Sequence, residues 1–520
     1  MVKNFLLSIV ILACTFQFIA AQRIDSENID SLVNRTIQVF DVPGIAVAII
    51  KDGEVIHSKG YGVRSLDSND PVDENTLFGI ASNTKAFTSA ALSILVDEDK
   101  LSWDDRVIDY IPEFRLYNSY VTEDFRIRDL LCHRSGMGLG AGDLMIWPDG
   151  TDFTREDIIH NLRHLKQVSP FRTKYDYDNL LYIVAGEIVA AVSGISWEEF
   201  IEKRILKPLN MGRSAASYNR LQNKSNTIAP HAVINGKIQV VSRTTNELMN
   251  AAGGIYSSVS DMSKWVIELL SKEKTVLKRS QVEHSLWAPQ TIIPVYSPGR
   301  YNTHFSAYGL GFRLMDEAGY KVISHTGGLA GMVTKVTLVP ELDLGIIVFT
   351  NQQSGGAFSA ITNEIKDAYF EMGEDVDWID RYASAATGNI NMANNVVQKV
   401  WEQVGTQDAR RKTQEAGGKT QDLDISGEYV DLWLGKVTIA ELDGRYFFRA
   451  ERSPGLDGEV FWYKANTYAV KWKDRSMDAD AFILFQLDIE GKVSGFTMKA
   501  ISPLTDFSYD FHDLNFTRIK

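Results

Sequence analysis

Alternating apolar and polar residues mark two distant parts of the chain. The stretch Gly44-IAVAIIKDGEVIHSKGYG alternates on both sides of Asp52-Gly53, which predicts a hairpin with a primed turn. A second pair of apolar runs follows far downstream, in Gly331-MVTKVTLVPELDLGIIVFTN, and flanks residues 340–343. Strand pairs at both ends of one segment favour a single antiparallel sheet to which both ends contribute.

Between the two hairpins most segments have helical patterns. The apolar run TKAFTSAALSIL follows Ser82, and another begins at Asn179 and reads LLYIVAGEIVAAVSG. We therefore predict an α+β domain over residues 22–384, in which an antiparallel sheet is built from both ends of the domain and a helical lobe is inserted between them.

The pattern changes after about Asp380. Residues 385–424 are rich in Ala, Asn, Gln, Lys and Gly, which indicates a partly helical linker. Residues 425–520 alternate again between frequent turns, which predicts a small all-β barrel or sandwich. Its aromatic residues are expected to fill the barrel core rather than line a sugar site: Tyr429, Trp433, Tyr446, Phe447, Trp462 and Tyr463.

The first 21 residues have the pattern of a secretory signal peptide. Lys3 precedes an apolar run that starts at Phe5, and Ala20-Ala21 offers small residues for cleavage. We disfavour an uncleaved anchor because no basic stop-transfer flank follows. No later stretch approaches the roughly 18 apolar residues of a membrane span, so we expect no stable membrane insertion after cleavage and a periplasmic or secreted protein.

Composition excludes some classes of function. The 520-residue chain has a formal net charge of −13, which argues against nucleic-acid binding. The only cysteines are Cys14 and Cys132, and the position of Cys132 after two leucines predicts a buried structural thiol. His160 and His164 have a spacing that suits zinc, but the glutamate of a His-Glu-x-x-His motif is absent, so we predict neither a metal nor a cofactor.

A Ser-x-x-Lys tetrad, Ser82-Asn-Thr-Lys85, opens the first apolar helix. A serine hydroxyl is a weak nucleophile until a base takes its proton, and a lysine can do so when burial lowers its pKa. The alternative is a helix N-cap at Ser82 with Lys85 reaching water. The spacing alone does not decide, since Ser271 and Lys274 share it within a charged stretch.

Two further segments supply possible partners. Tyr177-Asp-Asn179 precedes the second apolar helix, and His325-Thr-Gly-Gly328 precedes a predicted strand. Together with Ser82-x-x-Lys85, and with IRDLLCHRSGM and AAGGIYSSVSDMSKW, they resemble the three-box pattern of serine β-lactamase-related hydrolases. This family includes class C β-lactamases, D-Ala-D-Ala carboxypeptidases, D-aminopeptidases and related esterases. The similarity covers about residues 28–370, and the tail more loosely resembles the C-terminal barrel of some peptidase-like members.

The resemblance implies a role for each matching residue. Ser82 would be the acylated nucleophile, and Lys85 and Tyr177 would share the work of the base, in an order that the sequence leaves open. Asn179 would bind Lys85 and the substrate amide. The third box would bind substrate through His325, Thr326, Gly327 and Gly328, with the backbone N–H groups of Gly328 and Ser82 forming the oxyanion hole.

Two departures from the family pattern bear on the substrate. The third box usually begins with Lys in true β-lactamases, whereas His325 is mostly neutral at pH 7. Asp178 stands where the family commonly has Ser or Ala. Its carboxylate would either favour a cationic substrate, such as the free amine of a D-amino acid peptide, or point into solvent, and we expect the second. We therefore expect an exported serine hydrolase that acts on a small amide or ester, above all a D-amino acid peptide. The alternatives are an esterase or β-lactamase of the same family, or a non-catalytic sensor that binds penicillin or peptide. The expected partner is a small-molecule or peptide substrate, and oligomeric state stays open. We expect a chain without residues 425–520 still to be acylated, with an altered substrate range or oligomeric state.

Overall fold

The computed structural model describes residues 24–373, 375–414 and 423–519. The predicted signal peptide, residues 1–21, lies outside the described residues, as do residues 415–422 of the predicted linker.

An eight-stranded antiparallel sheet forms the centre of the larger domain. Strand β1 pairs with its neighbour along the chain, β2, and on its other side with β12, so the two ends of the domain meet. Both predicted hairpins are present, and Asp52 and Gly53 have the positive φ angles, 54° and 79°, of a primed turn. In spatial order the strands are β2 (Glu54–Gly62), β1 (Gly44–Lys51), β12 (Leu344–Thr350), β11 (Met332–Val339), β10 (Tyr320–Leu329), β9 (Arg313–Glu317), β8 (Ser306–Tyr308) and β7 (Thr291–Ile293).

Helices cover both faces of the sheet. The helices are α1 (Ser26–Phe40), α2 (Thr84–Asp97), α3 (Ser119–Asp124), α4 (Arg155–Asn161), α5 (Leu180–Ser193), α6 (Trp197–Ile201), α7 (Asn250–Gly253), α8 (Val259–Leu270), α9 (Arg279–Gln281), α10 (Gly355–Tyr369) and α11 (Trp378–Gln414). Val47 and Ile49 of β1 pack with α1 and α10, while Ala46 and Ala48 pack with the helical lobe on the other face. Because both faces are covered, the apolar run of β1 is almost continuous.

Within the described residues, no single helix has the length and hydropathy needed to cross a membrane. One pair of helical segments, Leu180–Ser193 and Trp197–Leu206, reaches them only when taken together, across a bend of 74°.

The C-terminal residues form a closed antiparallel barrel of eight strands. Outside the barrel, the larger domain also contains two short strand pairs, namely β3 (Phe78–Gly79) with β6 (Tyr256–Ser257) and β4 (His231–Ile234) with β5 (Lys237–Val240). The barrel strands are β13 (Gly427–Asp431), β14 (Gly435–Leu442), β15 (Arg445–Ala450), β16 (Asp457–Lys464), β17 (Thr467–Trp472), β18 (Ala481–Leu487), β19 (Val493–Ala500) and β20 (Asn515–Arg518). The predicted fold, an antiparallel sheet with inserted helices followed by a β-barrel, is confirmed.

Helix α11 runs through most of the predicted linker and lies against the outside of the barrel, where the Trp401 and Phe461 rings meet edge to face at 5.5 Å. Of the aromatic residues expected in the barrel core, Tyr429 and Trp433 are buried there, whereas the other four are only half-buried. The alternation in β15 places Phe448, not Phe447, in the core.

The barrel packs directly on the helical lobe. Its Arg452 forms ion pairs with Asp152 at 2.8 Å and Asp157 at 2.7 Å, and the Asn161 side chain donates a hydrogen bond to the Trp433 carbonyl at 3.0 Å. The apolar cores of the two parts are continuous.

Strand β10 touches the turn that leads into α2. A Cβ atom on Gly327 would lie 2.2 Å from the Ile80 carbonyl oxygen and 2.9 Å from Ala81 Cβ, which is closer than real contacts allow. A Cβ on the next residue, Gly328, would meet nothing within 4 Å. Only glycine at position 327 therefore lets this strand lie directly against the turn that contains Ser82.

This pair of glycines gives a test of the packing. We expect Gly327→Ala to lower the free energy of unfolding by about 1–3 kcal/mol, because the added methyl group forces the strand and the turn apart. Gly328→Ala is the matched control and should change it by less than about 0.5 kcal/mol. Urea unfolding followed by tryptophan fluorescence measures both, and equal effects would contradict the close packing at Gly327.

Candidate active site

Ser82 lies in a strained turn. The residues Ala81–Asn83 form one turn of 3₁₀ helix that leads into α2, and Ala81 has a left-handed φ of 50° although it is not glycine. The side chain of Asn83 anchors this turn to β11 by donating a hydrogen bond to Thr334 Oγ1 at 2.9 Å. Helix α2 has no side-chain cap, so the N-cap alternative for Ser82 does not hold.

The ammonium position of Lys85 lies within hydrogen-bonding distance of three oxygens. Nζ is 3.1 Å from Ser82 Oγ, 2.7 Å from Asn179 Oδ1 and 3.0 Å from the Ala252 carbonyl oxygen, and the side chain is completely buried. An ammonium would donate to all three. A neutral amine would donate to Asn179 and Ala252 and accept from the Ser82 hydroxyl, so either protonation state is fully satisfied.

Burial brings the pKa of Lys85 close to neutrality. Loss of solvation lowers it to about 7, although the carboxyl groups of Asp143 and Asp178 act in the opposite direction. About half of the lysines would therefore be free amines at neutral pH. The alternative in which Lys85 reaches water is wrong.

The second Ser-x-x-Lys tetrad shows what the same spacing does outside such an environment. Ser271 follows the C-terminus of α8, and Lys274 donates hydrogen bonds to the carbonyl oxygens of Glu268, Leu269 and Ser271. This lysine caps a helix C-terminus, where its positive charge is favoured.

Tyr177 stands over Lys85, whose Nζ lies 4.9 Å from the centre of the phenol ring. Burial raises the pKa of Tyr177 well above its ordinary value, and the nearby Ser82 hydroxyl opposes this only in part. Within the described residues the Tyr177 hydroxyl is buried and makes no hydrogen bond of normal length. The phenol is therefore neutral and has its proton available for another group.

Asn179 links Lys85 to a buried carboxyl group. Its Oδ1 accepts from Lys85, and its Nδ2 donates to Asp143 Oδ2 at 2.8 Å. A carboxylate only accepts hydrogen bonds, so Asp143 fixes the direction in which the Asn179 amide points. Burial raises the pKa of Asp143 well above its ordinary value.

The expectation that Asp178 points into solvent is wrong. The residue is completely buried, and its Oδ1 accepts a hydrogen bond from the Leu181 N–H at the start of α5, at 3.1 Å. Its own N–H donates to His133 Nδ1 at 3.1 Å. Burial raises the pKa of Asp178 to about 7. A residue at the beginning of a helix is held by the orphan N–H groups there, which explains why a carboxylate stays inside.

His325 is neutral. Its Nδ1 lies 2.6 Å from the Thr326 carbonyl oxygen, which can only accept, so its Nε2 accepts from the Tyr308 hydroxyl at 2.7 Å. Burial lowers the pKa of His325 to about 3. The expectation of an uncharged side chain at this position agrees with the structure.

The third box presents its glycines to the nucleophile turn. Pairing of β10 with β9 stops at Ser324, so the edge of residues 325–329 on that side is free of a neighbouring strand. Thr326 and Gly328 are exposed, whereas Gly327 is wedged against the turn. A substrate lying along this edge would contact Gly328.

Sequence reasoning missed three residues of this region. Asp143 lies in a loop of no regular pattern, and Tyr308 and Arg313 precede the third box without a motif of their own. Arg313 pairs with Ser324 across β9 and β10, and its guanidinium carbon lies 5.7 Å from the centre of the Tyr175 ring. Within the described residues Arg313 pairs with no carboxylate. In the sequence, the only signal for Arg313 was its place shortly before a third box that begins with His instead of Lys.

A shallow cleft extends from the end of β10. Its walls are mainly uncharged and include Tyr218, Asn246, Asn250, Tyr256 and Leu329, together with the glycines that follow Ala252. Since the Ala252 carbonyl holds Lys85, this cleft is adjacent to the nucleophile.

His160, His164 and Cys132 were not favoured as metal ligands or as a nucleophile, and their surroundings in the structure agree. The rings of His160 and His164 lie 6.0 Å apart, and no group of three or more His, Cys, Asp or Glu that could hold a metal occurs in the part of the chain that the structure describes. Cys132 is completely buried, which raises the pKa of its thiol to about 12.

Comparison with known proteins extends the picture. A family model described as Beta-lactamase matches residues 30–369, and one described as a domain of unknown function, DUF3471, matches residues 424–518. An unguisins hydrolase of Aspergillus campestris, ungD′, is 29% identical over 363 residues, which cover 67% of this chain and 66% of that protein. Protein flp of Staphylococcus aureus is 26% identical over 336 residues, which cover 63% of each. The chain thus spans slightly less than two thirds of the length of these relatives.

Similarity of structure extends over both domains. The octameric penicillin-binding protein homologue from Pyrococcus abyssi has the same fold, with a TM-score of 0.62 at 22% sequence identity, and the match covers 95% of this chain and 100% of that one. The family match covers more than half of the sequence and coincides with the segment that carries the three boxes. On these grounds the chain belongs to the Beta-lactamase family.

Proposed function

We propose that this protein is a serine hydrolase that forms an acyl-enzyme on Ser82 and acts on a small amide or ester, with D-amino acid peptides as the leading substrate class. The observation that carries the proposal is the buried Lys85 amine, 3.1 Å from Ser82 Oγ and with its other two positions occupied by Asn179 and Ala252. A base held in this way is placed to take the serine proton.

Acylation then proceeds by addition of the serine to the substrate carbonyl, followed by loss of the leaving group. The free amine of Lys85 takes the proton of the Ser82 hydroxyl, and Oγ bonds to the carbonyl carbon of the substrate. The carbonyl electron pair moves to oxygen, where the N–H groups of Ser82 and Gly328 stabilise the negative charge. The bond to the leaving amine or alcohol breaks as the carbonyl forms again.

The leaving group needs a proton, and Tyr177 is the residue suited to give it. Its phenol is neutral and lacks a hydrogen bond of normal length among the residues that the structure describes, so it can donate to a departing nitrogen and regain its proton from the Lys85 ammonium. This assigns the roles that the sequence left open: Lys85 is the base, and Tyr177 is the acid. Water, deprotonated through the same pair, hydrolyses the acyl-enzyme and frees Ser82.

Charges around the third box favour a substrate with a carboxylate. His325 is neutral and cannot replace the lysine of true β-lactamases. Arg313, which lies opposite Ser324 on the neighbouring strand, supplies a positive charge on that side of the site, and no carboxylate in the described part of the chain pairs with it. A guanidinium binds a carboxylate with two parallel hydrogen bonds, so a free peptide C-terminus is a suitable partner.

The mostly uncharged cleft beyond β10 suits the acyl half of such a substrate. Export would fit the same proposal, because only an exported enzyme would meet peptides that lie outside the cytoplasm. Hydrolysis of esters would use the same acylation step, with an alcohol as the leaving group.

The first prediction concerns the nucleophile. Ser82→Ala should abolish turnover and labelling by a fluorophosphonate, because no other hydroxyl is placed against Lys85, and should leave the free energy of unfolding within about 1 kcal/mol. Intact mass spectrometry measures the adduct. Ser271→Ala, in the second Ser-x-x-Lys tetrad, is the matched control and should keep full activity. Labelling of Ser82→Ala at the wild-type rate contradicts the assignment, and a permanent adduct without product release identifies a binder instead of an enzyme.

The second prediction concerns pH. Because Lys85 must be unprotonated to act as the base and has a pKa of about 7, kcat/KM should fall about tenfold per pH unit below pH 7 and level off above it. Asp178→Asn removes a negative charge that raises the pKa of Lys85 but keeps the Oδ1 that accepts from Leu181. The acid limb should therefore move to lower pH in this variant. A limb that stays in place, or moves to higher pH, argues against Lys85 as the base.

The third prediction concerns Arg313. Arg313→Gln should raise KM about 10-fold or more for a D-alanyl-D-alanine peptide with a free C-terminus, because the substrate carboxylate loses a charged hydrogen-bond partner. The same peptide with a C-terminal amide is the matched substrate, and its KM should change little. A p-nitrophenyl ester serves as a further control for the acylation step. Equal losses on acid and amide peptides contradict recognition of a carboxylate by Arg313.

A further inference from the structure

The barrel sends one of its loops into the active-site region of the other domain. This loop, residues 501–514, connects β19 to β20 and is here named the barrel loop. Asp510 Oδ2 accepts a hydrogen bond from the Gly142 N–H at 2.7 Å, and its Oδ1 accepts from the Leu144 N–H at 3.1 Å. The two bonds flank Asp143, so the barrel loop holds the backbone on both sides of that residue.

A side chain of the barrel loop also contacts Asp143 directly. Ser508 Oγ donates to Asp143 Oδ2 at 2.8 Å, and this oxygen also accepts from Asn179 Nδ2. The other carboxyl oxygen of Asp143 is buried and makes no hydrogen bond within the described residues. Ser508 is therefore one of only two side-chain donors that hold this carboxyl group in place.

These contacts form a continuous path to the catalytic lysine. Ser508 donates to Asp143, Asn179 donates to Asp143, and Lys85 donates to Asn179, with three donor–acceptor distances of 2.8, 2.8 and 2.7 Å. Each member fixes the orientation of the next, because Asp143 Oδ2 accepts both bonds and the amide has one accepting and one donating end. Networks of this kind restrict the position of every group in them.

The same loop packs on the segment that carries Tyr177. The Phe507 ring lies 5.7 Å from the Tyr177 ring, edge to face, and is 38% exposed at the rim of the site. The Phe507 carbonyl oxygen lies so close to Gly140 that a Cβ there would be 2.6 Å away, and the Gly140 N–H donates to the Tyr177 carbonyl oxygen at 2.8 Å. The fit requires glycine at position 140, where φ is 71°.

We propose that Ser508 is a positioning residue of the active site, which acts on Lys85 through Asp143 and Asn179, so that the barrel is an integral part of the hydrolase. The proposal rests on the acyl-enzyme function of Ser82 proposed above. It replaces the expectation from the sequence that a chain without residues 425–520 would still be acylated, since that chain would lack Ser508 and Asp510.

The test compares three single variants in the full-length chain. Ser508→Ala should lower kcat for a p-nitrophenyl ester by about 10- to 100-fold, with KM nearly unchanged, because a hydrogen bond to the buried Asp143 carboxyl group is lost and Asn179 is less well held. Ser508→Thr keeps the hydroxyl and should restore most of the rate. Ser502→Ala is the matched control, because Ser502 is a buried serine of the same loop whose hydroxyl only accepts from the Leu504 N–H.

Thermal unfolding of each variant and the rate of fluorophosphonate adduct formation, followed by intact mass, complete the test. The proposal holds if Ser508→Ala alone is slow while all variants unfold near the wild-type temperature. It is overturned if Ser508→Ala reacts at the wild-type rate, or if the Ser508 and Ser502 variants lose rate and stability together, which would indicate a purely structural loop.

Two remaining outcomes are also decisive. If Ser508→Ala does not fold, Ser508→Cys replaces it, since a thiol has a similar size but donates weakly. A Cys variant as fast as wild type overturns the proposal, and a slow one supports it. If the wild-type protein itself forms no adduct on Ser82, the proposed function fails, and the role of Ser508 fails with it.

Discussion

The burial of one amine is the constraint on which this active site depends. Lys85 sits at the start of an apolar helix with no access to water, and its charge is disfavoured there unless polar groups surround it. Three oxygens do so, and they come from the nucleophile turn, from the start of α5 and from the segment that ends α7. The lysine therefore draws together elements that are far apart in sequence. The same burial lowers the pKa of Lys85 to about 7, so that the free amine is accessible near neutral pH.

Much of this arrangement could be predicted from local sequence patterns. The two hairpins were recognisable because Asp52-Gly53 and residues 340–343 interrupt apolar alternation, and β1 and β12 pair as predicted. Ser82, Lys85 and Asn179 were identified from motif spacing, and the structure joins all three by hydrogen bonds. The hairpins and the Ser-x-x-Lys spacing were predictable because each is determined by residues within one hairpin or about one turn of helix. The shared sheet and the role of Asn179 were expected from the order of the elements and from the family resemblance.

Features that arise from contacts between distant segments were not predictable. Asp178 was expected in solvent because an isolated aspartate usually is, yet the beginning of α5 and the backbone around His133 hold it inside. Asp143 and Ser508 lie 365 residues apart, and neither carries a motif that would suggest their contact. The same applies to the shifted pKa values of Lys85 and Tyr177, which arise because segments far apart in sequence bury both side chains.

The pairing of β1 with β12 has a consequence for the order in which the molecule can assemble. Residues 44–51 are among the first to leave the ribosome, but their partner, residues 344–350, follows about 300 positions later. The central layer cannot close during most of translation, and its first hairpin must wait with an unsatisfied edge. The barrel, by contrast, consists only of strands that are near neighbours in sequence apart from the final closure between β13 and β20. Completion of the large domain and docking of the barrel are thus both late events in the assembly of the molecule.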